Sequence, residues 1–470
     1  MFFKRFYDEG LAHASYLIGC PNTGECAVID PNRSIDEYVA AAEWEGMRIA
    51  AVTETHIHAD YLSGARELAR ATGATLYLSG EGGGDWQYDF ASAEGATLLH
   101  DGDSFSVGPI EFKAAHTPGH TPEHVTFIVT DHATAATPMA ALTGDFVFVG
   151  DVGRPDLLER AAKQEGTMEI GARSLYASLN KFRNLLPDYA MLFPAHGAGS
   201  ACGKSLGGVP VSTLGYERES SWAFRAAGEQ EFIDEVLSGQ PDPPAYFAVM
   251  KRLNKQGPAL IGDMRPLPEF DAGVLPQIVA DTVVVDVRPG PEYAAWHVPG
   301  SIHVPVARPK FPVWAGSILP YDRPLSLIAN SRADAEMAAK RLRLVGLDDV
   351  RGWLQPSAIT DGSKLQMVSA EDAHIAATGE QATLIDVRTA AAFAGGHMQN
   401  AVLIPLQRIA ERAGEIDRRN PIAVYCDSGR QSVIAASLLE RLGFGSVANV
   451  EGGMKAYAEA GLPVVLGSNE

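Results

Sequence analysis

Four short stretches constrain the fold of this chain more than any other feature. They are Thr55-His56-Ile57-His58-Ala59-Asp60, His116-Thr117-Pro118-Gly119-His120, Thr143-Gly144-Asp145 and Pro194-Ala195-His196. Each places a His or Asp at the end of an apolar, strand-like run, such as Ile49–Thr53 before the first and Met191–Phe193 before the last. A strand end fixes a side chain beside its neighbours, so several ends can deliver imidazoles and carboxylates to one point, as a metal centre requires. One such histidine reads as a surface or capping residue. Four in this order predict a metal site built on sheet edges.

The chain has 470 residues, which at ~150 residues per domain predicts about three domains. Hydrophobic content of 46% and charged content of 20% suit a folded chain with large cores. A formal charge of −20 argues against nucleic acid or an anionic membrane surface as a partner. No apolar run reaches the ~18 residues of a membrane span, and Met1–Gly10 does not read as a secretory signal. Cys20, Cys26, Cys202 and Cys426 form no CxxC pair and read as reduced thiols, so a cytoplasmic location is expected.

Residues 1–235 alternate short strands with Gly/Pro/Asp turns and Ala-rich helices. Tyr16–Gly19 and Ala27–Asp30 flank Pro21-Asn22-Thr23-Gly24 in a hairpin pattern. Leu62–Thr72 reads as a helix with Ser63 as its N-cap. Residues 236–259 read as a helical linker. Beyond it lies a repeat: Val283-Val284-Val285-Asp286-Val287-Arg288 recurs as Thr383-Leu384-Ile385-Asp386-Val387-Arg388, an offset of 386 − 286 = 100. His297 and His397, then Pro305 and Pro405, keep that offset. Two α/β domains are therefore expected at 260–356 and 366–470.

Through THIHAD, HTPGH, TGD and PAH, the first segment resembles the metallo-β-lactamase superfamily, and within it the persulfide dioxygenase branch. The resemblance implies an αββα sandwich with metal at one edge. Two-metal hydrolases of that superfamily carry a histidine directly after the aspartate of the first motif. Here that position is Tyr61, and a neutral phenol is a far poorer ligand than imidazole. One metal per chain is expected. By resemblance its ligands are His56, His120 and Asp145, a facial set that suits Fe(II) and oxygen chemistry. His58, Asp60, Tyr61 and His196 would then be supporting groups around the ligands or the remnant of a second metal site. Because His58, Asp60 and His196 survive at hydrolase ligand positions, zinc and a glyoxalase II-like thioester hydrolase form the alternative. His116 and His124 read as structural or rim residues, and Arg154 as structural or substrate-contacting. Cys202, with Lys204 near enough to favour a thiolate, is a candidate relay for sulfane sulfur.

Cys426-Asp427-Ser428-Gly429-Arg430-Gln431-Ser432 follows the strand Ile422–Tyr425 and opens an Ala-rich helix. Inward backbone N–H groups, the helix N-terminus and Arg430 all favour a thiolate and an anionic persulfide on Cys426. With Glu451-Gly452-Gly453-Met454 downstream, this last domain resembles a rhodanese sulfurtransferase. The middle copy has Asn330 where Cys426 sits in the later one. An amide cannot form a persulfide, so that copy reads as a spacer, a docking surface or a wall of the neighbouring site. The whole order resembles the multidomain persulfide dioxygenase–sulfurtransferase fusions of the CstB type. The resemblance implies oxidation of a glutathione, CoA or cysteine persulfide by O2 to sulfite and thiol, with Cys426 passing sulfur to sulfite to give thiosulfate. It also implies sulfide detoxification and a homo-oligomer.

Overall fold

The computed structural model describes residues 1–160, 166–262 and 267–467. The chain divides into two compact units, Met1–Met264 with Arg343–Gly346, and Arg265–Leu342 with Leu347–Glu470.

Two six-stranded sheets form the first unit. One runs Phe2–Asp8, His13–Cys20, Glu25–Ile29, Arg48–Thr53, Thr75–Ser79, Thr97–Leu99; the other runs Ser212–Thr213, Met191–Pro194, Ala140–Gly144, Val125–Asp131, Ile110–His116, Ser104–Val107. Alternation along a strand sends successive side chains to opposite faces. In His13–Cys20, accordingly, Ala14, Tyr16 and Ile18 enter the inter-sheet core with Phe112, Phe127 and Leu142 of the other sheet. Leu17 instead faces outward into a cluster with Leu68 and Ala69 of the helix Ala65–Thr72. The second sheet's outer face is covered by the helices Thr167–Phe182 and Glu229–Leu237. The result is the expected αββα sandwich. The hairpin around residues 21–24 forms in register Tyr16↔Ile29 to Cys20↔Glu25.

Two details differ from expectation. The helix expected from Leu62 starts at Ala65 with Gly64 as N-cap, and Ser63 Oγ accepts the Ala65 N–H instead (3.0 Å). Within 236–259, the helix Phe247–Gln256 belongs to the first compact unit and buries Met250 and Asn254.

Two parallel sheets, and an antiparallel pair of His397–Met398 with Val464–Val465, are found in the second unit among the described residues. One has the order Ile302–His303, Val283–Asp286, Leu325–Ile328, Val350–Leu354; the other has the order Gln366–Val368, Val447–Val450, Ile422–Tyr425, Thr383–Asp386, Val402–Leu403. The offset of 100 recurs in side-chain geometry. Arg288 Nη2 donates to Asp286 Oδ2 (2.5 Å) and to Trp296 O (2.8 Å), while Arg388 Nη2 donates to Asp386 Oδ2 (2.6 Å) and Gly396 O (2.7 Å). His297 stacks on Tyr293 at 4.0 Å and His397 on Phe393 at 3.7 Å. In both copies a backbone carbonyl adds a further hydrogen bond to the buried ion pair, which offsets part of the cost of burying it. Residues 263–266 and 468–470, at the expected start of the middle domain and end of the last, lie outside the described residues.

Candidate metal centre and sulfur-transfer loop

His56 follows the strand Arg48–Thr53, His120 follows Ile110–His116, and Asp145 and His196 follow two parallel neighbours registered at Gly144↔Pro194. The first strand's sheet reaches the same edge through Ala14 N–H, which donates to Ala195 O (2.6 Å). His56, His120 and Asp145 each offer one ligand atom, all within 4.8 Å of one another and all buried. His120 Nδ1 donates to Arg154 O (3.1 Å), leaving its Nε2 lone pair 3.4 Å from Asp145 Oδ2. His56 Nδ1 bonds Thr55 Oγ1 (3.0 Å), and its Nε2 has no hydrogen-bond partner, nor has either Asp145 oxygen. Buried polar atoms without partners cost about 1–3 kcal/mol each. Converging lone pairs on neutral imidazoles and a carboxylate therefore fit a metal cation.

Electrostatics agree. Burial pushes His56 well below the ordinary imidazole range and His120 down to about 3, so both present lone pairs at neutral pH. Burial also raises Asp145 to about 6. His58 behaves differently: burial opposes its charge, but the Asp30 carboxylate bonded to its Nε2 at 3.0 Å outweighs that and lifts it to about 9.

A second group, Asp60, His196 and Cys202, also brings its candidate ligand atoms within 4.8 Å of one another. His196 Nδ1 donates to Ala12 O (3.1 Å), and its Nε2 lies 3.3 Å from Asp60 and 3.4 Å from Asp145. The Tyr61 hydroxyl donates to Asp30 O (3.2 Å), and its ring packs on His13 at 3.9 Å. Lys204, expected to favour a Cys202 thiolate, bonds Glu235 and Ser238 instead. Burial first, then the Asp145 and Asp60 carboxylates, pushes the Cys202 thiol well above its usual range.

Arg154 is fully buried, pairs with Asp156 (2.7 Å) and donates to Ala201 O (3.0 Å), so it ties the Cys202 loop down. Gly153 is required by close approach: a Cβ there would overlap the Asp145 carbonyl oxygen. His116 bonds Pro122 O, whereas His124 accepts the Asp145 N–H on Nε2 (3.1 Å) and holds the Asp145 loop.

Sequence reasoning missed Asp30 and Asn254. Asp30, just past the strand Glu25–Ile29, accepts from Thr55 N–H (2.6 Å) and His58; the signal was another acid at a strand end. Asn254 Nδ2 donates to His58 O and Tyr61 O, both at 2.8 Å, and its Oδ1 accepts Ser63 N–H at 2.9 Å.

Cys426 is 3% exposed, and Ser432 Oγ donates to its sulfur at 3.5 Å. The loop is pinned from outside. Met454 N–H donates to Cys426 O (2.8 Å), Lys455 N–H to Asp427 O (3.0 Å), and Arg388 Nη1 to Asp427 (3.0 Å). Gly453 must lack a side chain because a Cβ would overlap the Cys426 carbonyl oxygen. Arg430 is exposed and stands at the N-cap position of the helix Gln431–Arg441, with no capping bond from its side chain.

Among known proteins, the metallo-beta-lactamase superfamily matches residues 8–196, and the rhodanese-like domain matches 276–352 and 369–460. A metallo-beta-lactamase crystal structure from Staphylococcus aureus is 43% identical, with TM-score 0.69, over 76% of this chain and 99% of that one. A sulfurtransferase of Allochromatium vinosum is 38% identical over 18% of this chain and 80% of its own length. This chain belongs to the metallo-beta-lactamase superfamily and carries two rhodanese-like domains. A mitochondrial persulfide dioxygenase of Bos taurus is 29% identical over 46% of this chain and 72% of its own length. Among the described residues, no helix is long and apolar enough to cross a membrane.

Proposed function

We propose that the first unit is an Fe(II)-dependent persulfide dioxygenase with His56, His120 and Asp145 as ligands, fused to a sulfurtransferase acting through Cys426. The observation that carries the reading is the convergence of three partnerless or lone-pair donor sets on one buried point, beside a position where Tyr61 turns its hydroxyl away to Asp30. A bound ferrous ion supplies Lewis-acidic and redox capacity for the net reaction RSSH + O2 + H2O → RSH + SO3²⁻ + 2 H⁺. Around it the chain's own groups orient and move protons. Thr55 and the Arg154 carbonyl fix the ligand rings, His124 fixes Asp145, and His196 Nε2 is the acceptor placed to take the persulfide proton.

In the last domain the Cys426 thiolate attacks the outer sulfur of a donor, whose S–S bond breaks as the donor leaves with the electron pair. Sulfite then takes that sulfur as thiosulfate and regenerates the thiolate, and the same residues allow the reverse. Fusion keeps sulfite near its acceptor site. The pairing suits sulfide detoxification in the cytoplasm.

The Asp60–His196–Cys202 group favours one second reading, a zinc thioester hydrolase with an attached sulfurtransferase. The test is a pair of variants. His56→Ala is expected to abolish persulfide-dependent oxygen uptake and leave thiosulfate-to-cyanide sulfur transfer intact, and Cys426→Ser to do the opposite. Oxygen uptake surviving in His56→Ala refutes the dioxygenase assignment.

A further inference from the structure

The second unit encloses a cavity of about 1020 Å3 lined by both rhodanese-like copies. The loop after Cys426 contributes Ser428, Gly429 and Arg430, and the middle copy contributes Arg288, His303 and Arg308. Cys426 itself lies two positions before this stretch of wall, with Asp427 between. Small-molecule sites run to roughly 300–1,000 Å3. An inorganic sulfur oxyanion fills on the order of 100 Å3, a few times a water's ~30 Å3 share. The space is far too large for thiosulfate alone.

Three observations describe what fills it. His303 is fully buried, and its Nδ1 donates to Asp286 O at 3.2 Å. That leaves the Nε2 lone pair without a partner, 3.6 Å from the point where a Cβ on Gly290, another cavity residue, would sit. A buried acceptor of this kind calls for an N–H or O–H from the occupant. Second, Arg308 and Arg430 are exposed and have no ion-pair partner among the described residues. Third, Arg388 spends Nη1 on Asp427, but the corresponding loop position in the middle copy is Ser331, whose Oγ donates to Asp334. Arg288, bonded through Nε and Nη2, therefore lacks that partner for Nη1. Three guanidinium groups outnumber the two acids on the wall, Asp334 and Glu451.

We propose that the Cys-less middle copy is the recognition half of the Cys426 site, binding the carrier part of an organic persulfide that bears two or more negative charges and at least one N–H or O–H donor. This rests on the reading of Cys426 as the transfer nucleophile. The middle copy has Asn330 in place of a cysteine and supplies the wall: Arg308 and Arg288 hold the anionic carrier, His303 accepts its donor, and the sulfane sulfur is left at the loop. Arg308 and His303 are positioning residues.

The test uses the full chain with sulfite as acceptor and four donors: glutathione persulfide, CoA persulfide, the neutral persulfide of 2-mercaptoethanol, and thiosulfate with cyanide as acceptor. Arg308 is exposed, so Arg308→Ala leaves the fold intact. It is expected to raise KM for at least one polyanionic persulfide tenfold or more with kcat within twofold, and to leave the neutral persulfide and thiosulfate within twofold. Calorimetric titration with the matching free thiol should show the same weakening of Kd. Equal KM changes for all donors, or none for any, overturn the proposal. Transfer that survives Cys426→Ser overturns the underlying reading instead.

Discussion

Asn254→Ala should loosen the loop that carries His58 and Asp60 while leaving both side chains in place. In the native chain the Asn254 side chain closes three hydrogen bonds of 2.8–2.9 Å inside the first unit while 1% exposed. Truncation strands the carbonyls of His58 and Tyr61 and the N–H of Ser63. Each stranded buried group costs about 1–3 kcal/mol, and overlap within one network lowers the sum, giving a loss of about 3–4 kcal/mol. Asn254→Asp is the informative partner. It keeps the acceptor for Ser63 but turns a carboxylate oxygen toward two carbonyls, so it should not restore native protection. Hydrogen exchange at amides 57–63 reads the local opening free energy directly. Protection in Asn254→Ala that stays within about fivefold of the native chain, equivalent to about 1 kcal/mol, would refute the bracing argument.

Other predictions concern charge and space. Gly153→Ala should displace the Asp145 loop and lower metal retention, measured by metal content after dialysis against a chelator, whereas Gly150→Ala, with nothing near its Cβ, should retain metal despite its positive φ. Burial depresses His303 to about 3, so the unfolded chain takes up that proton first as pH falls through ~6.5. The second unit should therefore lose about 2 kcal/mol between pH 7 and pH 5, with the loss shrinking in His303→Gln, as read from urea unfolding. Gly453→Ala should break the Cys426 loop and cut sulfur transfer at least a hundredfold while oxygen uptake stays within twofold.

Much of this was legible in the chain. Strand-end motifs foretold that His56, His120 and Asp145 come together at one edge, because a strand end has few places to point. The offset of 100 foretold two similar sheets, down to the matched Asp286–Arg288 and Asp386–Arg388 pairs. What escaped was long-range and polar. Asp30 and Asn254 bond partners 25 to 196 positions away in sequence, and an isolated Asp or Asn looks like any surface residue. Lys204 misled for the opposite reason: closeness in sequence to Cys202 suggested a contact, but its ammonium reaches Glu235.

The central claim is that two imidazoles and one carboxylate hold a single oxygen-activating metal. Metal analysis of the full chain purified without added metal, coupled to an oxygen electrode and glutathione persulfide, tests it most directly. One iron per chain with one O2 consumed per persulfide is the predicted result. Two zinc ions per chain, no oxygen uptake and cleavage of a glutathione thioester would contradict it.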